Sequence, residues 1–373
     1  MSECRGCGSS ELHRVLDLGK VPAADHFPLA ADPVSVDEAT HQLAMDLCGN
    51  CGLAQLADDD TVTDEPRGVE PQALKDQAAD AVARVQEAGW LTGATVREFG
   101  SPHGGTWIPL LTERGFSEAA ADAPADVVLD CFGIMHEPDQ RAAFAARAAA
   151  TAPSGVLLLQ YHSLSTIVAQ GQWNALRHGH FAYYSLRALL RLLADAGMHP
   201  TAAWEFDLYG GTVLIAAQHG RGAIPDVVTD ILRREDAVGS TSPTAVSSLQ
   251  AAMDKHVHSL SAWLTAEHAA GHRVYAYGAA SRAVALFAMA KAHSGVITGV
   301  ADASPAKQGR RMPATDVPII SPEALVAAAP DRVLLTLPDL IGEVRAQFPR
   351  LDGRWVIDSP ESLQQPPWTN ERM

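Results

Sequence analysis

Four of the chain's five cysteines stand in two Cys-x-x-Cys pairs, Cys4-Arg-Gly-Cys7 and Cys48-Gly-Asn-Cys51. A two-residue spacer turns the chain back on itself, so both thiolates of a pair can reach one metal. Two pairs complete a tetrahedral sulfur shell, and that shell suits zinc. Four protein ligands leave no open position, which makes such a site structural rather than catalytic. Two disulfides or a redox pair are the competing readings. Nothing else in the chain suggests an oxidising compartment.

The second group of chemical residues is the histidines. His136 follows the strand-like run Asp126-Val-Val-Leu-Asp130, and His162 follows Gly155-Val-Leu-Leu-Leu-Gln-Tyr161. His178 and His180 lie in Arg177-His-Gly-His-Phe-Ala-Tyr-Tyr184, just before a helical pattern. Ligand crevices open at the carboxyl ends of parallel strands. A histidine at such a mouth can act as a general base near neutral pH. Most of the 15 histidines must nonetheless be surface or hydrogen-bonded loop residues. Arg177 can neutralise an oxyanion or a phosphate.

Two glycine turns complete the inventory. Gly100-Ser-Pro-His103-Gly104-Gly105 joins a strand to a helix, and Gly278-Ala-Ala-Ser281-Arg282 does the same later. Such turns let a ligand approach the backbone and point a helix N-terminus at it. A plain tight turn would look the same. Asp302 falls where dinucleotide folds place the ribose carboxylate. The full glycine fingerprint is absent, so NAD is not expected.

These residues need elements to position them. The 373 residues allow two or three domains, and 47 % hydrophobic residues make the chain globular. The net charge of −16 argues against nucleic acid and against an anionic membrane. With no apolar run near ~20 residues and no leader-like start, a cytoplasmic protein is expected. Residues 1–70 read as a metal module, loop-like between its cysteine pairs except for a strand over Gln42–Leu47. Residues 71–218 alternate strands and helices: a helix from Leu74, strands at 95–99, 126–130, 155–161 and 210–216, and helices at 107–114, 141–150 and 185–197. That alternation implies a mostly parallel sheet covered on both faces. Residues 219–373 begin with a linker around one short helix. A long helix carrying Leu249, Met253, Val257, Leu260 and Leu264 follows. Strands at 274–277, 296–301, 332–337 and 353–358 then make a second α/β domain. The fold class is α/β: a zinc module, a central Rossmann-like domain (which the resemblance described next makes a truncated methyltransferase domain) and a doubly wound C-terminal domain.

The order of parts resembles the sugar C-methyltransferases of bacterial deoxysugar antibiotic pathways. The marks are the two cysteine pairs, Leu16-Asp-Leu-Gly19 and Leu53-Ala-Gln55 at the front. Tyr277-Gly278-Ala279, Asp302-x-x-Pro305-x-Lys307-Gln-Gly-Arg310 and Pro318-Ile319 mark the back. The resemblance implies an S-adenosylmethionine-binding central domain, with Gly100, His103 and Gly104 at the cofactor turn. It implies a nucleotide-linked keto-sugar as small-molecule substrate. His136 and His180 match family histidines facing that sugar. His162, His178, Tyr277, Arg282 and Lys307 are candidate substrate contacts.

The centre departs from the family. Where the family has Tyr-x-Glu-His, this chain has Arg177-His178-Gly179-His180. The acidic residue of the cofactor turn is His103. A family tyrosine segment has become Asp64-Glu-Pro-Arg-Gly-Val69. The passage from Phe116 to Asp126 is too short for another strand–helix–strand unit, so the ribose acceptor and adenine wall are expected to be missing. Three functions follow: methyl transfer to a sugar carbon, a repurposed enzyme moving protons with His136 and His180 without a methyl donor, or a non-catalytic partner of a related enzyme.

Overall fold

The computed structural model describes residues 3–61, 70–102 and 105–364. Three sheets carry the fold, their strands numbered in chain order. The first is antiparallel: β1 (Leu12–Val21), β2 (His41–Cys48), β3 (Ala54–Leu56) and, contributed from far along the chain, β8 (Ala182–Tyr183). The second has the order β5 (Ser117–Glu118), β4 (Thr95–Phe99), β6 (Ala125–Cys131), β7 (Thr151–His162), β10 (Thr212–His219), β9 (Met198–Phe206). Its first four strands are parallel, and β10 runs antiparallel to both neighbours. The third is wholly parallel: β13 (Ile319–Ile320), β12 (Val300–Ala301), β11 (Val274–Tyr277), β14 (Arg332–Leu335), β15 (Trp355–Ile357).

The apolar runs of β6 and β7 divide between two cores, as the period of two requires. Val128, Leu157 and Leu159 face one core with the helices Gln140–Ala150 and Leu186–Asp195. Val127, Leu129, Val156 and Leu158 face the other, under the helix Gln72–Glu87. The long helix Ser248–Ala269 buries Leu249, Met253, Leu260 and Leu264 in a core shared by the first and third sheets. No helix among the described residues is long and apolar enough to cross a membrane.

Several expectations need correction. The stretch between the cysteine pairs is not wholly loop-like, because β1 occupies ten residues of it. Its alternation is hidden by register shifts after Arg14 and Asp17, and by Gly19 at φ +69°. The passage from Phe116 to Asp126 does hold a further strand, the two-residue β5 on the sheet edge. β9 went unread because Pro200 interrupts it, which an edge strand tolerates. The expected strand over 296–301 pairs only through Val300 and Ala301. The helix in the expected linker is 13 residues long, Asp226–Val238. Leu190 gives way to Leu192 on the buried face of Leu186–Asp195.

The loop between β1 and β2 reaches over to the third sheet. Arg311, 2 % exposed, pairs with Glu38 at 2.6 Å and donates to Asp32 O and Pro33 O. The first and third parts of the chain are thereby clamped together.

Candidate functional site

In the second sheet the strand order reverses between β4 and β6. In the third it reverses between β11 and β14. Such switch points open crevices at strand carboxyl ends. Both open on one cavity of about 410 Å³. Phe99 and Gly100 reach it from the end of β4, and Cys131 and Phe132 from β6. Gln160 and His162 line it on β7, and Tyr277 and Gly278 after β11. Arg177, His180 and Tyr209 close its side.

His136 and His180 meet here, with ring centroids 4.3 Å apart and planes at 74°. Nδ1 of His136 lies 2.9 Å from the carbonyl of Gly179. A carbonyl only accepts, so Nδ1 carries the proton and Nε2 is the basic nitrogen. Gly179 sits at φ +76°, and its N–H donates to Asp59 at 2.7 Å. That backbone favours glycine. The family's glutamate position is thus used here to buttress His136 from behind.

His162 lines the same cavity. Burial first, and then the charges of Arg282 and Arg177, lower its pKa to about 3. It is a neutral ring at physiological pH. Arg177 donates from its backbone N–H to Tyr183 Oη at 3.0 Å, and from Nη1 to Ser281 Oγ at 3.3 Å. Arg282 stands 6.0 Å above the Tyr209 ring. Lys307 reaches the cavity, but its ammonium donates to Ala279 O at 2.7 Å. Asp302 accepts from Ala279 N at 2.8 Å. Lys307 and Asp302 together hold the Gly278 turn closed.

His178 is not brought to the cavity. It is buried against the first sheet, 3.3 Å from Gln42 O and 6.0 Å from the His41 ring. His103, Gly104 and the 64–69 segment lie outside the described residues. Cys131 lines the cavity, but burial, with the charges of Glu98 and Asp130, pushes its thiol well up and makes it a poor nucleophile.

Sequence reading missed two aromatic residues. Phe132 and Tyr209 hold φ of 63° and 55°, a region that bulky residues rarely enter. Both line the cavity, and their rings lie 5.9 Å apart. Tyr209 also meets His162 at 6.1 Å. Such strain gathers at functional sites. The signal available was an aromatic residue directly before Gly210-Gly211.

The glycine turn after β4 is organised by Glu98, which accepts from Trp107 N at 2.7 Å and from the Thr106 hydroxyl. Nε2 of Gln77 and Oε1 of Gln160 are buried at the cavity wall with no hydrogen-bond partner. Orphaned amides of this kind call for a polar ligand. They fit the zwitterionic end of S-adenosylmethionine. Glu118, on β5, is exposed and does not line the cavity.

The four cysteine sulfurs lie within 4.8 Å of one another, with Cys4–Cys51 at 3.5 Å and Cys7–Cys48 at 3.6 Å. The thiols are free rather than disulfide-bonded. A tetrahedron with metal–sulfur bonds of ~2.3 Å has edges of about 3.8 Å, close to this spacing. The donor set fits zinc.

Fold and site together define an α/β protein with a cleft between two switch points and a front module carrying a four-cysteine cluster. Three family models match in succession. A zinc binding domain covers residues 4–63, a methyltransferase domain 48–202 and a C-methyltransferase C-terminal domain 207–360. The C-methyltransferase NovU of Streptomyces niveus is 23 % identical across 97 % of this chain and 96 % of its own. The matched span, 419 residues, exceeds the 373 residues here, so that relative carries segments this chain lacks. Among solved structures, an S-adenosylmethionine-dependent methyltransferase from Clostridium acetobutylicum is similar at 9 % identity. It covers 39 % of this chain and 92 % of its own, with a TM-score of 0.29. The magnesium protoporphyrin IX methyltransferase of Synechocystis is similar at 14 % identity, covering 41 % and 90 %, with a TM-score of 0.28. The chain is thus matched, in order and over most of its length, by the models of these three parts.

Proposed function

We propose that this protein methylates a carbon next to a ketone in a small sugar-like substrate, with S-adenosylmethionine as donor and zinc as a structural ion. The observation that carries this reading is the His136–His180 pair beside the glycine turn of β4, in one cavity. Carbon becomes nucleophilic when a base removes the proton beside a carbonyl. Nε2 of His136 is the base, oriented by Gly179 O. The His180 ring flanks this base at 4.3 Å. Arg177 steadies the enolate oxygen. Gly100, Gln77 and Gln160 would hold the donor, which supplies an electrophilic methyl group when bound. Cys4, Cys7, Cys48 and Cys51 would hold zinc.

The test is enolisation. Deuterium uptake from solvent at the carbon beside the ketone is expected in candidate keto-sugars, together with S-adenosylhomocysteine formation when donor is present. His136→Gln should lose ~100-fold or more of the exchange, the usual span of general-base catalysis. Exchange that survives in both His136→Gln and His180→Gln would overturn the assignment.

A second reading is favoured by the sheet edge. Parallel pairing ends at β5, two residues long, with Glu118 exposed and outside the cavity lining, so little walls an adenosyl group. On this reading the same histidines carry an isomerisation or elimination with no donor. Turnover in the absence of S-adenosylmethionine would select it.

A further inference from the structure

His136 takes its orientation from the carbonyl of a glycine, and glycine adopts positive φ about as readily as negative. Something outside the loop must therefore hold Gly179 at φ +76°. The loop is a turn closed by the His180 N–H donating to Arg177 O at 3.3 Å, with glycine at its third place, where a positive φ calls for it. Both ends of the turn are fixed. The Arg177 N–H donates to Tyr183 Oη at 3.0 Å, and the Phe181 N–H to Met135 O at 2.7 Å. The hold on its middle comes from the front of the chain. Oδ2 of Asp59 accepts the Gly179 N–H at 2.7 Å, from 120 residues away in sequence.

Asp59 is itself held. Its Oδ1 accepts from the Thr61 N–H at 2.9 Å and from the Thr61 hydroxyl at 2.6 Å. Arg5, inside the first cysteine pair, joins the segment before Asp59 to the loop after His136. It donates to Leu56 O at 3.4 Å and to Pro138 O at 3.1 Å, and its guanidinium lies 4.8 Å from the centre of the Phe181 ring. The Leu56 N–H donates to Phe181 O at 3.2 Å. Asp59, Gly179 and His136 therefore stand in one braced frame. A hydrogen bond to a carboxylate is roughly twice as strong as one between neutral groups, which makes Asp59 the firmest anchor of the turn.

We propose that Asp59 is a positioning residue for His136, acting through Gly179. It fixes the carbonyl that keeps the imidazole proton on Nδ1 and leaves Nε2 basic. The consequence for turnover rests on the reading of His136 as the base, whereas the effect on the ring stands by itself. The competing account is that Asp59 only shapes the turn it makes with Thr61.

Nitrogen-15 spectra of the histidine-labelled full chain at pH 8 read the tautomer of each ring, with the His136 signals assigned by their loss in His136→Gln. The parent should hold His136 in the Nδ1–H form. Asp59→Ala should bring in the Nε2–H form as a measurable fraction. Asp59→Asn, which keeps one acceptor oxygen, should show a smaller fraction. Thr61→Ala removes only the hydroxyl on the other oxygen of Asp59 and should leave the parent tautomer in place. In solvent-exchange assays with keto-sugars, Asp59→Ala should lower kcat about tenfold while KM holds, as misalignment of a catalytic group does. A ring that stays in the Nδ1–H form in both Asp59 variants would overturn the proposal, and so would an Nε2–H form appearing equally in Thr61→Ala. If His136→Gln keeps the parent's exchange, the assignment of the base falls, and the tautomer in Asp59→Ala still decides the positioning role.

Discussion

At His136 the structure assigns a proton to one nitrogen and basicity to the other, through a single carbonyl 2.9 Å away. The partner ring of His180 is a separate matter, and the two variants should differ. His136→Gln removes the base, whereas His180→Gln leaves it and should lose less of the exchange. His162 behaves differently again. Its pKa of about 3 keeps it neutral through the working range, so His162→Gln should leave the pH–rate profile between pH 5 and 9 unchanged in shape. It should alter stability instead. Unfolded histidine takes up a proton near 6.5, and the folded ring does so only near 3. The unfolded state binds more protons across that window, so stability falls as pH falls through it. Melting curves from pH 7 to 4 should be shallower for His162→Gln than for the parent chain. His136, His162 and His180 were legible in the sequence because each follows the end of a strand or precedes a helix. Tyr209 was not, since its role comes from a left-handed backbone that no residue pattern announces.

Among the elements, the helix Leu186–Asp195 shows how support reaches the site. Its first N–H, on Leu186, donates to Glu235 at 2.7 Å, and Ser185 caps it while donating to Gly52 O at 3.1 Å. Glu235 is 3 % exposed, and burial raises its pKa from 4.5 to about 7. The folded carboxyl keeps its proton where the unfolded one has lost it. Its contribution is therefore complete below pH 4.5 and is lost as pH rises to about 7, on the order of 3 kcal/mol at most. Glu235→Gln should flatten the fall in melting temperature across that window. Glu38 has the opposite sign. Burial alone would raise it, but hydrogen bonds from Arg311, Ser35 and Ala314 prevail and hold it near about 2. Its contribution is present above 4.5 and is lost as pH falls toward 2. Arg311→Leu strands Glu38 and should cost about 3–5 kcal/mol in denaturant unfolding. β4, β6, β7 and β11 were readable from apolar runs bounded by turns. β5, β8 and β13 are two residues long and exist through pairing partners distant in sequence, so no local signal encodes them.

At the scale of the molecule, the thiol cluster and the cavity are mechanically joined. β3 begins three residues after Cys51 and pairs with β8, which begins two residues after His180. Leu53 and Leu192 pack against Gly6 of the first knuckle. Elemental analysis should find one zinc per chain. Its removal by a chelator should lower the melting temperature and the proton-exchange rate together. Unchanged exchange in metal-free protein would cut that link. The order of the three parts was plain from the cysteine spacing and the Tyr277 and Asp302 motifs. How they close on one cavity was not, because two switch points meet only in three dimensions. The central claim is that this cavity, with its shortened sheet, still takes the methyl donor. Calorimetric titration of the full chain with S-adenosylmethionine tests it most directly. The account predicts one saturable site per chain, weakened at least tenfold by Gln160→Leu; no heat of binding at millimolar ligand would contradict it.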